Sequence, residues 1–197
     1  MFEDDIKRVQ TRIKQLNTEV DKAQVSAINR ATRKALTLAV NGIKSQVNLK
    51  APYIRSKLKV YQQATTQKPE GLLGAASRGV LLDQFDGQQM VTKAKHPERS
   101  KGDPLRGIAS GYKSKGVTVK VKAKGAAKFM PGFYIPLNNG NGANSMAIAV
   151  RTGRGKKDYK VLYGPSVSQT FNYVRHDISA QTQEIVISEL LNELESM

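Results

Sequence analysis

Between Ile6 and Ala27 the apolar residues fall at Ile6, Val9, Ile13, Leu16, Val20, Ala23 and Ala27, in alternating steps of three and four. No strand holds that spacing on one face, because strand side chains alternate every two residues, whereas a helix gathers it into a single stripe. A second stripe, Ile28, Ala31, Ala35, Leu38 and Gly42, continues it one residue out of phase, the drift of a 3.6-residue helix against a 3.5-residue repeat. The chain is therefore predicted to open with a long helix reaching about Val47. The second half of that helix, AINRATRKALTLAV, is poor in large side chains, so whatever packs there comes close. Two uses are open to the N-terminal seam: burial against the protein's own sheet, or association with a second copy.

Pro52 is expected to end the helical stripe, since the residue before a proline is pushed out of the α region, with a short basic helix or a strand from Tyr53. GVLLDQF reads as a short strand over Gly79 to Leu82. The polar stretch around Pro97 and Pro104 reads as a flexible basic loop over 92–115. GVTVKVKAKG, Gly116 to Gly125, then alternates strictly, with Val117, Val119, Val121 and Ala123 on one face and Thr118, Lys120, Lys122 and Lys124 on the other. As a strand it would carry ammonium groups about 6.6 Å apart. Such a ladder suits either an edge guarded against aggregation or a surface that faces polyanions. FMPGFYIPL follows as an edge strand interrupted by Pro131 and Pro136. AIAVRTGRGKKDYKVLYGPSV reads as strand, basic glycine-containing tip and returning strand. Phe171, Val174, Ile178, Ile185, Leu190, Leu191 and Leu194 mark a C-terminal helix.

The order helix, strands, helix predicts an α+β fold: a long N-terminal helix, a mostly antiparallel β-sheet with a basic hairpin, and a C-terminal helix. At 197 residues the chain is expected to form a single domain (1–197). Its parts are an N-terminal helical part 4–58, a β-region 79–167 containing the loop, and the C-terminal helix 169–195.

The outlying compositional number is charge: 32 Lys and Arg against 16 Asp and Glu give +16, a balance that attracts nucleic acid, anionic lipid or acidic proteins. With no cysteine and only His96 and His176, neither a disulfide nor a zinc site has its residues, and neither metal nor cofactor is expected. The start, MFEDDIKRVQ, lacks the basic-then-apolar form of a secretory signal. No run approaches the roughly 18 apolar residues of a membrane span, so a soluble product, free or within a larger assembly, is expected.

Enzymatic readings find little to stand on. GRGKK lacks the first glycine of a phosphate-binding loop, and Lys157 stands where its hydroxyl would be. His176 beside Asp177 has no nucleophile motif near it, and the acidic residues are too scattered for a two-carboxylate or two-metal site. No zinc-finger, RNP or KH pattern is present, and the chain has no tryptophan. Charge without base-reading apparatus predicts contact with phosphates, independent of sequence and sensitive to salt. The candidate basic face comprises Lys120, Lys122, Lys124, Arg151, Arg154, Lys156 and Lys157.

Charge is also segregated, with eleven basic and two acidic residues over 92–130 but five acidic and no basic ones over 177–197. Glu184, Glu189, Glu193 and Glu195 oppose the dipole of the helix that carries them, so a basic surface should lie against it. The next identical subunit could supply one, in a head-to-tail contact that closes into a ring.

Three segments carry a resemblance: AINRATRKALTLAVNGIKSQVNLKAPYIRSKLKV, GFYIPLNNG, and AIAVRTGRGKKDYKVLYGPSVSQTF leading into the last helix. Together they resemble the minor tail protein Z family of long-tailed bacteriophages, with Gly164, Pro165, Ser166 and Val167 as the most telling signature. The segment Thr92 to Lys115 departs from the pattern. The resemblance implies a structural virion protein, a tail-completion component at the head-proximal end or neck, present in the host cytoplasm during assembly. It implies a homo-oligomeric ring, a hexamer by family analogy. Its implied partners are tail-tube, tail-terminator or head-connector proteins and the phosphates of genomic DNA. The alternative from the residues alone is a free, sequence-nonspecific nucleic-acid-binding protein.

Overall fold

The computed structural model describes residues 2–138, 144–155 and 157–196. Along the chain come α1 (Phe2–Gln46), α2 (Ala51–Lys57), β1 (Leu58–Gln62), β2 (Leu72–Ala75), β3 (Gly79–Leu81), β4 (Gln88–Lys93), β5 (Tyr112–Val119), β6 (Lys128–Met130), β7 (Phe133–Asn138), β8 (Asn144–Arg151), β9 (Tyr159–Val161), β10 (Tyr163–Ser166) and α3 (Val167–Glu195). Every strand pairing is antiparallel, and the fold is α+β. No helix among the described residues is long and apolar enough to cross a membrane.

The chain gathers into two compact units. The helical one comprises 1–42, 55–76 and 171–197. Its α1 runs without proline, and without glycine before Gly42, through a sequence rich in Ala, Lys, Arg and Gln, all strong helix formers. Ala23, Ala27, Ala31, Ala35 and Ala39 are buried in a stripe. α3 lies antiparallel against that face: a Cβ on Gly42 would touch Val174 at 3.4 Å and Ile178 at 3.6 Å, while Glu189 meets Arg30 and Lys34, and Glu193 meets Ser26 and Arg30. The small side chains are what allow this approach. The β1–β2 hairpin is fixed by Asn29, whose amide donates to the Ala64 carbonyl (3.1 Å) and accepts its N–H (2.9 Å).

Among the described residues nothing covers the first five layers of the N-terminal seam. Ile6, Val9, Ile13, Leu16 and Val20 are 42–59 % exposed, and burial begins at Ala23, where α3 starts to run alongside.

The second unit, 43–54 and 77–170, is built from β3–β10 and two three-stranded sheets, β4–β5–β6 and β7–β8–β9. Phe85, Val117, Ala147, Ile148 and Ala149 are wholly buried in it. Pro52 does not end α1. The helix stops at Gln46, Val47 forms an antiparallel bridge with Lys122, and Pro52 is the second residue of α2, where a missing N–H is harmless because the first helical N–H groups have no intrahelical partner.

The lysine-bearing strand is also displaced. It runs from Tyr112 to Val119, so Lys120, Lys122 and Lys124 lie beyond its end. There the backbone leaves the sheet for the segment after α1: Val121 accepts the Asn48 N–H (2.9 Å), the Ala123 N–H reaches Gln46 (3.1 Å), and a turn closes from Gly125 to Lys122 (3.2 Å). The two ends of the expected loop 92–115 are strand, in β4 and β5. Between them Ala94 and Gly111, Ser100 and Gly111, and Asp103 and Ile108 are joined by backbone hydrogen bonds.

Candidate interaction surfaces

The signature Gly164 to Val167 is the junction from β10 into α3. Ser166 precedes the first helical residue, and its Oγ accepts the Gln169 N–H (3.0 Å) while Gln169 Oε1 accepts the Ser166 N–H (2.9 Å). This is a reciprocal capping box, legible in the sequence as Ser-x-x-Gln, and Ser166 and Val167 are both buried. Pro165 falls where the β10–β3 register slips between Gly164 and Ser166, which relieves a residue without an N–H of a place in the ladder.

The basic tip between β8 and β9 is organised by one acid. The Asp158 carboxylate accepts the Gly155 N–H (2.8 Å), its carbonyl accepts the Thr152 N–H (3.0 Å), and a Cβ on either Gly153 or Gly155 would meet it within 2.7 Å. Arg151 donates to the Gly155 carbonyl (2.9 Å) and lies 5.1 Å from the centre of the Phe133 ring, with Arg106 5.8 Å from the same ring. Tyr159 meets Phe133 edge-on at 6.3 Å. Two guanidinium groups are thus held against one aromatic ring, an arrangement missed in the sequence because Arg106 sits 27 residues before Phe133. Arg154 and Lys157 are exposed on the tip, and Lys156 lies outside the described residues.

The strand-end lysines and the hairpin tip stand on different elements of the same unit. Lys122 and Lys124 are exposed and Lys120 is half-buried. The charge divides unequally between the two units. The β-rich unit holds 19 basic and 5 acidic residues, or +14, and the helical unit 13 and 11, or +2.

Two clefts of the β-rich unit share Asp83. One, of about 760 Å³, is lined by Lys44, Asn48, Lys50 and Asp86, and the other, of about 470 Å³, by Gln89, Arg106 and Tyr134. Burial pushes the Asp83 carboxyl above its ordinary value, against the opposing effects of a hydrogen bond with Tyr134 and the charge of Lys50. The Tyr134 phenol is raised by burial and by Asp83. Among the described residues no three His, Asp or Glu side chains gather as metal ligands.

The acids of α3 divide. Glu189 and Glu193 find their basic partners within the chain: Lys34 donates to Glu189, Arg30 lies 3.6 Å from Glu189 and 2.8 Å from Glu193, and the Ser26 hydroxyl donates to Glu193 at 2.9 Å. For these two the demand for a basic neighbour is met without another subunit, while Glu184 and Glu195 are exposed. The Lys34 hydrogen bond, opposed by burial and assisted by the Lys34 and Arg30 charges, lowers the Glu189 carboxyl below its usual range. Its contribution to stability is complete above the unfolded-state value, about 4.3, and is lost as pH falls through the folded value. Asp83, raised on folding, has the opposite sign: it opposes folding as pH rises from the unfolded value through its folded one. Glu189→Gln should therefore flatten the loss of stability below about pH 4.3, and Asp83→Asn should remove the gain in stability that Asp83 gives as pH falls toward its unfolded value of about 3.9, as read from urea midpoints at each pH.

A search of curated proteins and of solved structures finds no match to this chain. The family model described as prophage minor tail protein Z matches residues 6–197. That range takes in the exposed seam, both charged surfaces and the Gly164 to Val167 junction, and the chain belongs to the prophage minor tail protein Z family, a family of structural components of the phage tail.

Proposed function

We propose that this minor tail protein works at the head-proximal end of the tail, as a tail-completion or neck component that helps join tail to head. In this reading its β-rich unit contacts the phosphates of the genome without reading sequence. The observation that carries it is the +14 charge of that unit beside +2 for the helical one. A protein with one strongly cationic unit suits a lumen through which DNA passes. Lys120, Lys122, Lys124, Arg151, Arg154 and Lys157 are the residues assigned to that face. Glu184 and Glu195 remain for contact with the basic surface of a neighbouring copy, in a homo-oligomeric ring whose other partners are tail-tube, tail-terminator or head-connector proteins. Mature tails separated from soluble nucleic acid should contain the chain in fixed stoichiometry, labelled by an antibody at the head-proximal end. Recovery with soluble nucleic acid, or label at the distal tip, would overturn the assignment.

A further inference from the structure

The uncovered seam of α1 is a surface of a different kind. α3 ends at Glu195, and in its antiparallel course along α1 its Glu193 reaches Ser26 and Arg30. Beyond that point Ile6, Val9, Ile13, Leu16 and Val20 continue in heptad spacing along about 22 Å of helix, each 42–59 % exposed. Solvated side chains do not require that regularity, whereas a second helix packing knobs into holes does. We infer that the seam is a self-docking surface, on which two copies of this chain pair through residues 6–20 as an antiparallel two-stranded coil.

Three observations select a second copy in that orientation. First, charge permits it: residues 2–22 hold five basic and five acidic residues, so this segment is neutral in a chain of +16. Second, the charges that flank the seam are complementary in one direction. Val9 opposite the second copy's Val20, and Ile13 opposite its Leu16, bring Arg12 beside the second copy's Glu19, and Glu19 beside its Arg12. Parallel pairing faces Arg12 and Glu19 with neutral Asn17 and Gln24. Third, the two copies together bring ten half-exposed apolar residues to the contact, an apolar centre flanked by charged and polar side chains, as in other protein interfaces. The contact is isologous and pairs two free chains; it is distinct from the head-to-tail ring contact proposed for the assembled tail. It does not depend on whether the β-rich unit meets DNA.

The full-length chain should sediment as a species of twice 21.6 kDa that dissociates on dilution. Ile13→Glu with Leu16→Glu should halve that mass while leaving thermal unfolding of the remainder in place. Should that variant misfold, the charge pair tests the same contact: Arg12→Glu should weaken the dimer and Arg12→Glu with Glu19→Arg should restore it. The chain has no native cysteine, so orientation can be read directly. Val9→Cys and Val20→Cys chains should cross-link when mixed and not when separate. A monomer at every concentration, a dimer indifferent to Ile13→Glu with Leu16→Glu, or Val9→Cys chains that cross-link to themselves would overturn the inference.

Discussion

Phe85→Ala is expected to remove about 3–5 kcal/mol of stability, a large part of the roughly 5–15 kcal/mol that holds a domain folded. The side chain is wholly buried. Its backbone is committed on both sides, with the N–H bonded to Leu82 (3.1 Å) and the carbonyl to the Lys120 N–H (3.1 Å). The ring rests on Gly164, where a Cβ would approach it to 2.5 Å. The residue that opens the Gly164 to Val167 signature is thus a glycine for steric reasons. Gly164→Ala should cost about 1–3 kcal/mol by overpacking, and that cost should shrink in a Phe85→Leu background, where the smaller side chain yields. Coupling of at least about 0.5 kcal/mol is expected between residues in direct contact. Urea midpoints of the two single variants and the double variant decide it. Strict additivity would mean that the ring is not what excludes a side chain at position 164.

That contact shows where sequence reading stops. The segment before the last helix was visible as a motif, and the Ser166 and Gln169 box follows from residues three apart. Phe85 lies 79 residues upstream of Gly164, and nothing local announces their meeting. Both long helices were legible because a 3.6-residue period persists over many turns. The alternation through Lys124 misled for a related reason, since an extended segment has the same two-residue period whether it pairs in a sheet or, as residues 121–123 do, with residues 46–48. β4, with the sequence QQMVTK, and β2, with LLGA, offered no alternation to find. The exposed seam was legible as a helix but not as uncovered, because where α3 ends along α1 depends on their packing.

Neutralising the β-rich unit should change DNA retention far more than neutralising the helical one, if that unit meets phosphates as proposed. Removing one lysine or arginine from a phosphate lowers the slope of log affinity against log salt by about 0.9 on duplex DNA. Arg154 and Lys157 are the informative pair on the hairpin, because Arg151 also holds the Gly155 carbonyl and the Phe133 ring, and its removal would disturb the tip itself. Arg154→Gln with Lys157→Gln should reduce the slope by up to about 1.8, and Lys120→Gln, Lys122→Gln and Lys124→Gln together by up to about 2.7. Lys7→Gln, Arg8→Gln and Lys14→Gln on α1 remove the same charge as the lysine set from the near-neutral unit and should leave the slope nearly unchanged. Comparing the three sets at matched salt separates a directed contact from a general effect of net charge, which would lower all three in proportion to the charge removed. If the slope holds in every set while the strand-end variant becomes prone to aggregate, those lysines guard the protein against self-association and the genome contact must be withdrawn.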